Sequence, residues 1–203
     1  MDLVELTLRS IRPLPGRQPG DRPPAPGDLR LVQAFVNSRW NLDRHHEEQL
    51  ATPATLAEWL TGHDLIESGT RLGDADLARA LEVREGLRAI LFVNNGATAD
   101  RAAIDLLNKG LRAAGLFVQL EPGSAPDFRA QQRDLDAALA MIGTIVALAQ
   151  LDGRWSRMKA CRGAQCGWVF YDHSRNQAGS WCAMSVCGSR AKAREYRRRR
   201  KQS

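Results

Sequence analysis

The chain has 203 residues, of which 43% are hydrophobic and 26% charged, a composition typical of a globular protein with room for one domain and a small appendage. Its net charge of +6 is unevenly placed: residues 154–203 hold 13 Lys/Arg and two acidic residues, a net +11, whereas residues 1–153 carry a net −5. A mildly acidic body with a concentrated basic end predicts a polyanionic partner that contacts this end.

Composition also argues against secretion and membrane insertion. The N-terminus lacks the continuous apolar region of a secretory signal, and no stretch approaches the roughly 20 apolar residues of a membrane span. We therefore expect a cytoplasmic protein without a membrane partner. In that compartment thiols stay reduced, so clustered cysteines are more often metal ligands than disulfides.

Residues 1–27 are predicted to form a strand-like segment followed by an arm. Val4, Leu6 and Leu8 alternate as in a strand. Nine of the fifteen residues from 13 to 27 are Pro or Gly, which argues against a helix and indicates an exposed linker or arm.

Residues 28–150 are predicted to form an α-helical domain of about five helices. Asp28 and Thr52-Pro53 are helix-start signals, and Asn94-Asn95-Gly96 is a stop signal. Apolar residues spaced near 3.6 predict helices over 28–40, 52–60, 74–93, 99–114 and 126–150, with a short strand within 115–120. The fold class is therefore mainly α, with residues 155–203 as a separate C-terminal module.

All four cysteines fall within 27 residues, as Cys161-x4-Cys166 and Cys182-x4-Cys187. Two thiolate pairs joined by a loop of this length can complete a tetrahedral S4 site, which suits Zn²⁺. Because four sulfurs leave no open position for water, we predict one structural zinc ion. Disulfides or unrelated core cysteines are the alternatives, and x4 spacing is less common than x2.

Residues beside the cysteines have predicted supporting roles. Gly167 and Gly188 follow the second cysteine of each pair, where tight turns would bring backbone N–H groups to the sulfurs. Trp168, Phe170 and Trp181 are predicted to form the small core of the module rather than stacking surfaces for bases. His173 is not needed as a ligand.

The segment after Cys187 predicts a basic helix with Ser189 as its N-cap. Arg190, Arg194, Arg197 and Lys201 would form one stripe at i, i+4, i+7 and i+11, and Lys192, Arg198, Arg199 and Arg200 would widen it. We predict that these side chains bind nucleic acid, with double-stranded DNA as the favoured partner and Arg175 and Asn176 of the connecting loop as further contacts. A solvated tail, and a loop with only local hydrogen bonds, are the alternatives.

At this point the residues show a family resemblance. SRN at 174–176 before the WC-x-M-x-x-CG-x-R-x-K segment at 181–192 resembles the CGNR-type zinc finger. The pieces LVQAFVNSRW, LAEWL, VREGLRAIL and LNKGL, at 31–40, 56–60, 83–91 and 107–111, resemble the ABATE domain that precedes this finger. The resemblance covers about residues 28–200. It implies a stress-induced transcription regulator whose finger binds DNA and whose four cysteines hold zinc; Ser189 replaces the asparagine that gives the finger its name.

No enzyme motif is evident, so we expect a protein that is not an enzyme. His45-His46-Glu47-Glu48 lacks the i, i+4 histidine spacing of a metalloprotease helix, and is interpreted as solvated polar residues. The body is a candidate ligand-sensing or dimerisation module: Phe35, Trp40, Trp59 and Phe92 could line a pocket for a small effector, although core packing is favoured. A homodimer would place two basic helices on one duplex, with the protein associated with the bacterial nucleoid. An RNA-binding zinc protein and a zinc-stabilised protein-interaction module are the alternative functions.

Overall fold

The computed structural model describes residues 18–42, 45–120, 122–123, 127–130 and 134–202, so the predicted strand-like segment at the N-terminus lies outside the described residues. The helices are α1 Leu29–Asn37, α2 Pro53–Gly62, α3 Asp74–Val93, α4 Arg101–Ala113, α5 Leu135–Leu151 and α6 Ser189–Gln202. The strands are β1 Arg39–Leu42, β2 His45–Glu48, β3 Phe117–Gln119, β4 Asp127–Arg129, β5 Met158–Ala160 and β6 Val169–Tyr171, paired as three antiparallel hairpins.

The mainly α fold class is confirmed. Of the two predicted helix-start signals, Thr52-Pro53 acts as expected, whereas the side chain of Asp28 forms no capping hydrogen bond with α1. The Thr52 hydroxyl accepts a hydrogen bond from the Thr55 N–H at 3.2 Å, which caps α2 with Pro53 at its first position. Helix α3 begins at the predicted Asp74, and α4 is capped by Asp100, which accepts from the Ala103 N–H at 3.1 Å. Among the described residues, no helix is both long and apolar enough to cross a membrane.

Two predicted helices are wrong in their bounds. Helix α1 ends at Asn37 rather than Trp40, because residues 39–42 pair with 45–48 as a hairpin. The segment predicted to begin the last helix is instead β4, which pairs with β3 and places Val118 opposite Phe128. Helix α5 therefore starts only at Leu135, where the Asp134 carboxylate accepts from the Asp136 N–H at 2.9 Å.

The body core lies between α1, α3 and α5. Phe35, Leu87 and Leu139 are at most 1% exposed. Trp59 packs on Phe35 with ring centroids 5.7 Å apart, and Phe92 packs partly buried against the same cluster. The core-packing interpretation of these three aromatic residues is therefore confirmed, while the side chain of Trp40 lies outside the described ones.

Glu48 has a structural role that the sequence interpretation missed. Its carboxylate forms two hydrogen bonds of 2.7 Å with the guanidinium of Arg84, which is 1% exposed and also donates to the Ser38 hydroxyl at 3.1 Å. A buried arginine needs such partners because an unpaired buried charge is very costly. Glu48 therefore connects the β1–β2 hairpin to α3 through Arg84. The interpretation of residues 45–48 as solvated polar residues does not hold for Glu48.

The β5–β6 hairpin contributes to two cores at once. Met158, Ala160, Val169 and Tyr171 are buried in the body core. Phe170 belongs to a second cluster, which contains the four cysteines. The hairpin is therefore the connection that positions the cysteine cluster against the helical body.

Candidate metal centre and basic helix

The four cysteine sulfurs meet in one place. All four Sγ atoms lie within 4.8 Å of one another, with Cys166 and Cys182 3.8 Å apart and Cys182 and Cys187 3.6 Å apart. A zinc tetrahedron with Zn–S distances of about 2.3 Å has edges of about 3.8 Å. A disulfide requires about 2.05 Å, so the two separations fit a metal and not a disulfide.

The first cysteine pair is held by the end of the β5–β6 hairpin. The Cys161 N–H donates to the Trp168 carbonyl at 2.9 Å, and the Cys166 N–H donates to the Gly163 carbonyl at 3.0 Å. Gly167 has a φ of +65°, a conformation that favours glycine. This turn brings the Trp168 N–H to the sulfur of Cys166, as predicted for Gly167.

Gly188 differs from its prediction. It lies in a π-helical turn, Met184–Gly188, that runs directly into α6, and its φ is not positive. Its small size instead lets Met184 and Trp181 pack against it, since an added Cβ would lie 2.4 Å from Met184 Sδ and 3.3 Å from Trp181 Cδ1. The symmetry suggested by the two Cys-Gly pairs is therefore absent.

Gly163 is the residue at this centre that sequence reasoning missed. An added Cβ would lie 2.7 Å from Cys187 Sγ and 3.1 Å from the Cβ atoms of Cys166 and Cys187. Its N–H also donates to Cys161 Sγ at 3.3 Å. A glycine two residues after a candidate ligand is the sequence signal that could have identified it.

The four cysteine thiols strongly shift the pKa values of one another. Hydrogen bonds from the thiols of Cys166 and Cys182 lower the pKa of Cys161 to about 2. The hydrogen bond with Cys161 raises the pKa of Cys166 and of Cys182, and burial raises that of Cys187. Zinc is held by thiolates, so binding Zn²⁺ displaces the thiol protons and weakens as pH falls.

The small core predicted around the cysteines is confirmed. Phe170 is fully buried, and Trp168 and Trp181 pack partly buried against it and the cysteines. His173 is exposed, and its Nε2 lies 3.1 Å from the Pro24 carbonyl, so it does not join the cluster.

Side chains of the body hold the finger hairpin in place. The Asn37 side chain accepts from the Val169 N–H at 2.8 Å and donates to the Val169 carbonyl at 2.9 Å. Arg88 donates to the Gly167 carbonyl at 2.7 Å, directly after Cys166. Asn95 donates to the carbonyls of Ala160 and Ser180, at 2.7 and 3.0 Å.

These body contacts had no distinct sequence signal. Asn37 and Arg88 lie on helices, where polar residues usually face solvent, and Asn95 was interpreted only as a helix stop. All three are buried, at 7–9% exposure, and their hydrogen bonds satisfy backbone groups of the finger, which buried peptide groups require.

A buried ion pair organises the loop between the cysteine pairs. The Lys159 ammonium lies 2.9 Å from the Asp172 carboxylate and also donates to the Gln177 and Gly179 carbonyls. Burial would raise the pKa of Asp172, but hydrogen bonds from Ser174 and Lys159 outweigh it and hold this pKa well below its usual value. Arg175 and Asn176 lie exposed on this loop.

Helix α6 presents the predicted basic residues to solvent. Its eight basic side chains are all exposed: Arg190, Lys192, Arg194, Arg197, Arg198, Arg199, Arg200 and Lys201. Two of them share one acidic partner, because Glu195 pairs with Arg198 at 3.0 Å and with Arg199 at 2.8 Å. The stripe with Arg194 and Arg197 lies on a different side of the helix from Glu195.

Ser189 is not the N-cap that the sequence predicted. Its backbone is helical, with φ −63° and ψ −40°. Its hydroxyl donates to the carbonyls of Ser185 at 2.9 Å and Val186 at 3.1 Å, whereas an N-cap oxygen accepts from an N–H. The prediction is wrong because the helical path already begins at Met184, one turn earlier.

Family models match both parts of the chain. The ABATE model, described as "putative stress-induced transcription regulator", matches residues 29–153. The chain belongs to the ABATE family. The CGNR zinc-finger model matches residues 157–200 of this ABATE protein, a range that contains all four cysteines, and no match was found among curated proteins.

This ABATE protein therefore carries one structural zinc ion, held by Cys161, Cys166, Cys182 and Cys187. A closed S4 site stabilises the surrounding fold and offers no position for a reacting water. Both matched families are regulatory or zinc-finger types rather than enzymes. The division of the chain into two separate domains stays a prediction, because β5 and β6 contribute to both cores.

Proposed function

We propose that this ABATE protein is a DNA-binding transcription regulator. The observation that carries this proposal is α6, an exposed helix with eight basic residues and one glutamate that continues directly from the turn containing Cys187. Zinc fixes the base of this helix, so less conformational freedom is lost when it docks on a polyanion.

An α-helix fits the major groove of B-DNA, and arginine matches both phosphate oxygens and the guanine edge. The stripe of Arg190, Arg194, Arg197 and Lys201 extends along the whole of α6. The loop residues Arg175 and Asn176 would add contacts to the backbone or to base edges. If about six basic residues each neutralise a phosphate, log K falls with log[salt] at a slope near −5.

The test is fluorescence anisotropy with labelled duplex DNA across a salt series. Arg194→Ala/Arg197→Ala should weaken binding at low salt and make the slope less negative by about 2. The matched control is Arg101→Ala/Arg112→Ala, which removes the same charge from exposed positions on α4. Equal losses in both double variants would show only a general charge effect and overturn the assignment of α6.

Regulation requires selectivity as well as affinity. Selection of bound fragments from genomic DNA, with and without a zinc chelator, would reveal it. An enriched sequence that disappears with chelator supports a regulator acting at defined sites. Uniform recovery of fragments would instead indicate nonspecific or architectural binding.

RNA binding is the second candidate function, and Tyr196 favours it. This tyrosine is 66% exposed among the arginines of α6, and single-stranded RNA is commonly recognised by stacking bases on aromatic side chains. Competition of the labelled duplex by single-stranded RNA would decide. Tyr196→Ala should weaken RNA binding and leave duplex binding almost unchanged if RNA is the partner.

We further propose that the body dimerises, so that two α6 helices reach neighbouring stretches of duplex. Exposed leucines on the body support this proposal: Leu151 is 85% exposed and Leu120 74% exposed. Sedimentation analysis should show a dimer that Leu151→Glu or Leu120→Glu weakens. A monomer throughout the micromolar range would leave the body as a candidate ligand sensor only.

A further inference from the structure

The arm before α1 packs on the zinc finger, although it lies outside both ranges matched by the family models. The Trp168 indole N–H donates to Gln18 Oε1 at 3.1 Å. An added Cβ at Gly20 would lie 2.8 Å from the Ala183 Cβ, so the two backbones approach closely beside the turn that begins α6. Residues 18–22 are therefore part of the surroundings of the metal centre.

Arg22 makes the most specific contacts of this arm. Its guanidinium donates to the carbonyls of Cys182 at 3.1 Å, Trp181 at 3.2 Å and Tyr171 at 3.3 Å. It also lies over the Phe170 ring, 4.6 Å from the centroid. The hydrogen bonds described for Arg22 all go to the finger.

We propose that Arg22 is a positioning residue of the zinc site, acting through the backbone of Cys182. Cys182 is central to the cluster, because its sulfur lies within 3.8 Å of Cys166 and 3.6 Å of Cys187. Arg22 fixes the carbonyls of the two peptide groups that flank the Cys182 Cα, and it thereby limits rotation of the segment that orients this sulfur. Outer partners that orient metal ligands in this way typically contribute 10–100-fold to metal affinity.

Arg88 supports the first cysteine pair in a corresponding way, through the Gly167 carbonyl. It differs from Arg22 because it also pairs with Glu85 and donates to the carbonyls of Val36 and Arg39. Replacing Arg88 would therefore disturb the body fold as well. Arg22 gives the cleaner test, and this proposal does not depend on the nature of the nucleic acid.

The test measures zinc affinity of the full-length protein by competition with a coloured chelator at constant pH. Arg22→Ala should weaken zinc binding by about 10–100-fold. Arg22→Lys should restore only part of the zinc affinity, because one ammonium group cannot replace a planar guanidinium that donates to several carbonyls. Arg71→Ala, at an exposed arginine of the body, is the matched control and should bind zinc like the unmodified protein.

Circular dichroism of each variant tests whether Arg22 positions the zinc ligand or only stabilises the fold around it. Zinc affinity of Arg22→Ala within twofold of the unmodified protein, even with a lower melting temperature, would overturn the proposal. If Arg22→Ala does not fold, the same comparison is made with Arg22→Lys. Unchanged zinc affinity in a folded Arg22→Lys, together with unchanged amide exchange over residues 181–188, would overturn it equally.

Discussion

At the residue scale, the absence of a side chain at Gly163 is as important for the metal centre as the four cysteine ligands. Gly163 allows Cys187 to approach the Cys161–Cys166 turn, and its N–H supports the Cys161 sulfur. We predict that Gly163→Ala weakens zinc binding by at least about tenfold, because the added methyl group displaces Cys187 Sγ or the turn. Chelator competition measures the effect.

Gly62→Ala is the control for this prediction. Gly62 is the last residue of α2, and an added Cβ has no neighbour within 4 Å. This variant should retain zinc affinity and gain up to about 1 kcal/mol of stability from helix propensity. Normal zinc affinity in Gly163→Ala would show that the turn can move without cost.

The buried pair Lys159–Asp172 leads to a second prediction. Removing one partner leaves an uncompensated buried charge, so Lys159→Met should lower the free energy of unfolding by about 3–5 kcal/mol. Asp152→Asn is the control, because the Asp152–Arg154 pair is exposed to solvent and should contribute little to stability. Urea unfolding compares them, and similar losses in both would contradict the assigned role of burial.

The same pair predicts a pH dependence of stability. The pKa of Asp172 is lower in the folded protein than its unfolded value of about 4. Its contribution is therefore fully present above that unfolded value and is lost as pH falls below it toward the folded value. Asp172→Asn should remove this part of the acid dependence, measured as unfolding free energy between neutral and acidic pH.

At the element scale, we expect α6 to depend on the metal more than on its own sequence. It packs mainly on the turn before it, and its arginines repel one another at i, i+4 positions. Isolated helices of this length are marginal in water. We predict that zinc removal abolishes amide-exchange protection over residues 190–201, while amides of α3 near Leu87 stay protected. Retained protection in α6 without zinc would contradict this dependence.

Helices were predictable from the sequence where the apolar periodicity is clear, as for α2, α3 and α4. Prediction failed where an element exists only because it pairs with another segment. Strand β4 exists because it pairs with β3, and the segment carrying Pro126 gave no separate signal for that pairing. The prediction of Ser189 as an N-cap failed because a serine before alanines and arginines also occurs one turn inside a helix. There its hydroxyl donates to a preceding backbone carbonyl.

At the scale of the whole molecule, the body and the finger stabilise each other. Asn37, Arg88 and Asn95 satisfy backbone groups of the finger, and β5 and β6 complete the body core. The identity of the metal ligands followed from cysteine spacing alone. These cross-contacts did not, because a single sequence does not show which polar helix residues are buried.

We therefore predict one calorimetric unfolding transition for the zinc-loaded protein, and a body that unfolds at a lower temperature without zinc. Metal binding worth about 10 kcal/mol in comparable sites should shift the midpoint by more than about 10 °C. Asn176→Ala, on the exposed loop, should leave the midpoint unchanged. Two separate transitions, with the body transition insensitive to chelator, would contradict this coupling.

The β5–β6 hairpin packs into both cores, and it therefore limits where the chain can be divided to make a chimera. A finger transplanted onto a foreign carrier from residue 157 onward would bring Met158, Ala160, Val169 and Tyr171 into water and leave the Val169 peptide group without Asn37. Chimeras that exchange the basic helix between such proteins should therefore be spliced after Cys187, so that only α6 is exchanged and the hairpin stays with the helices that pack against it.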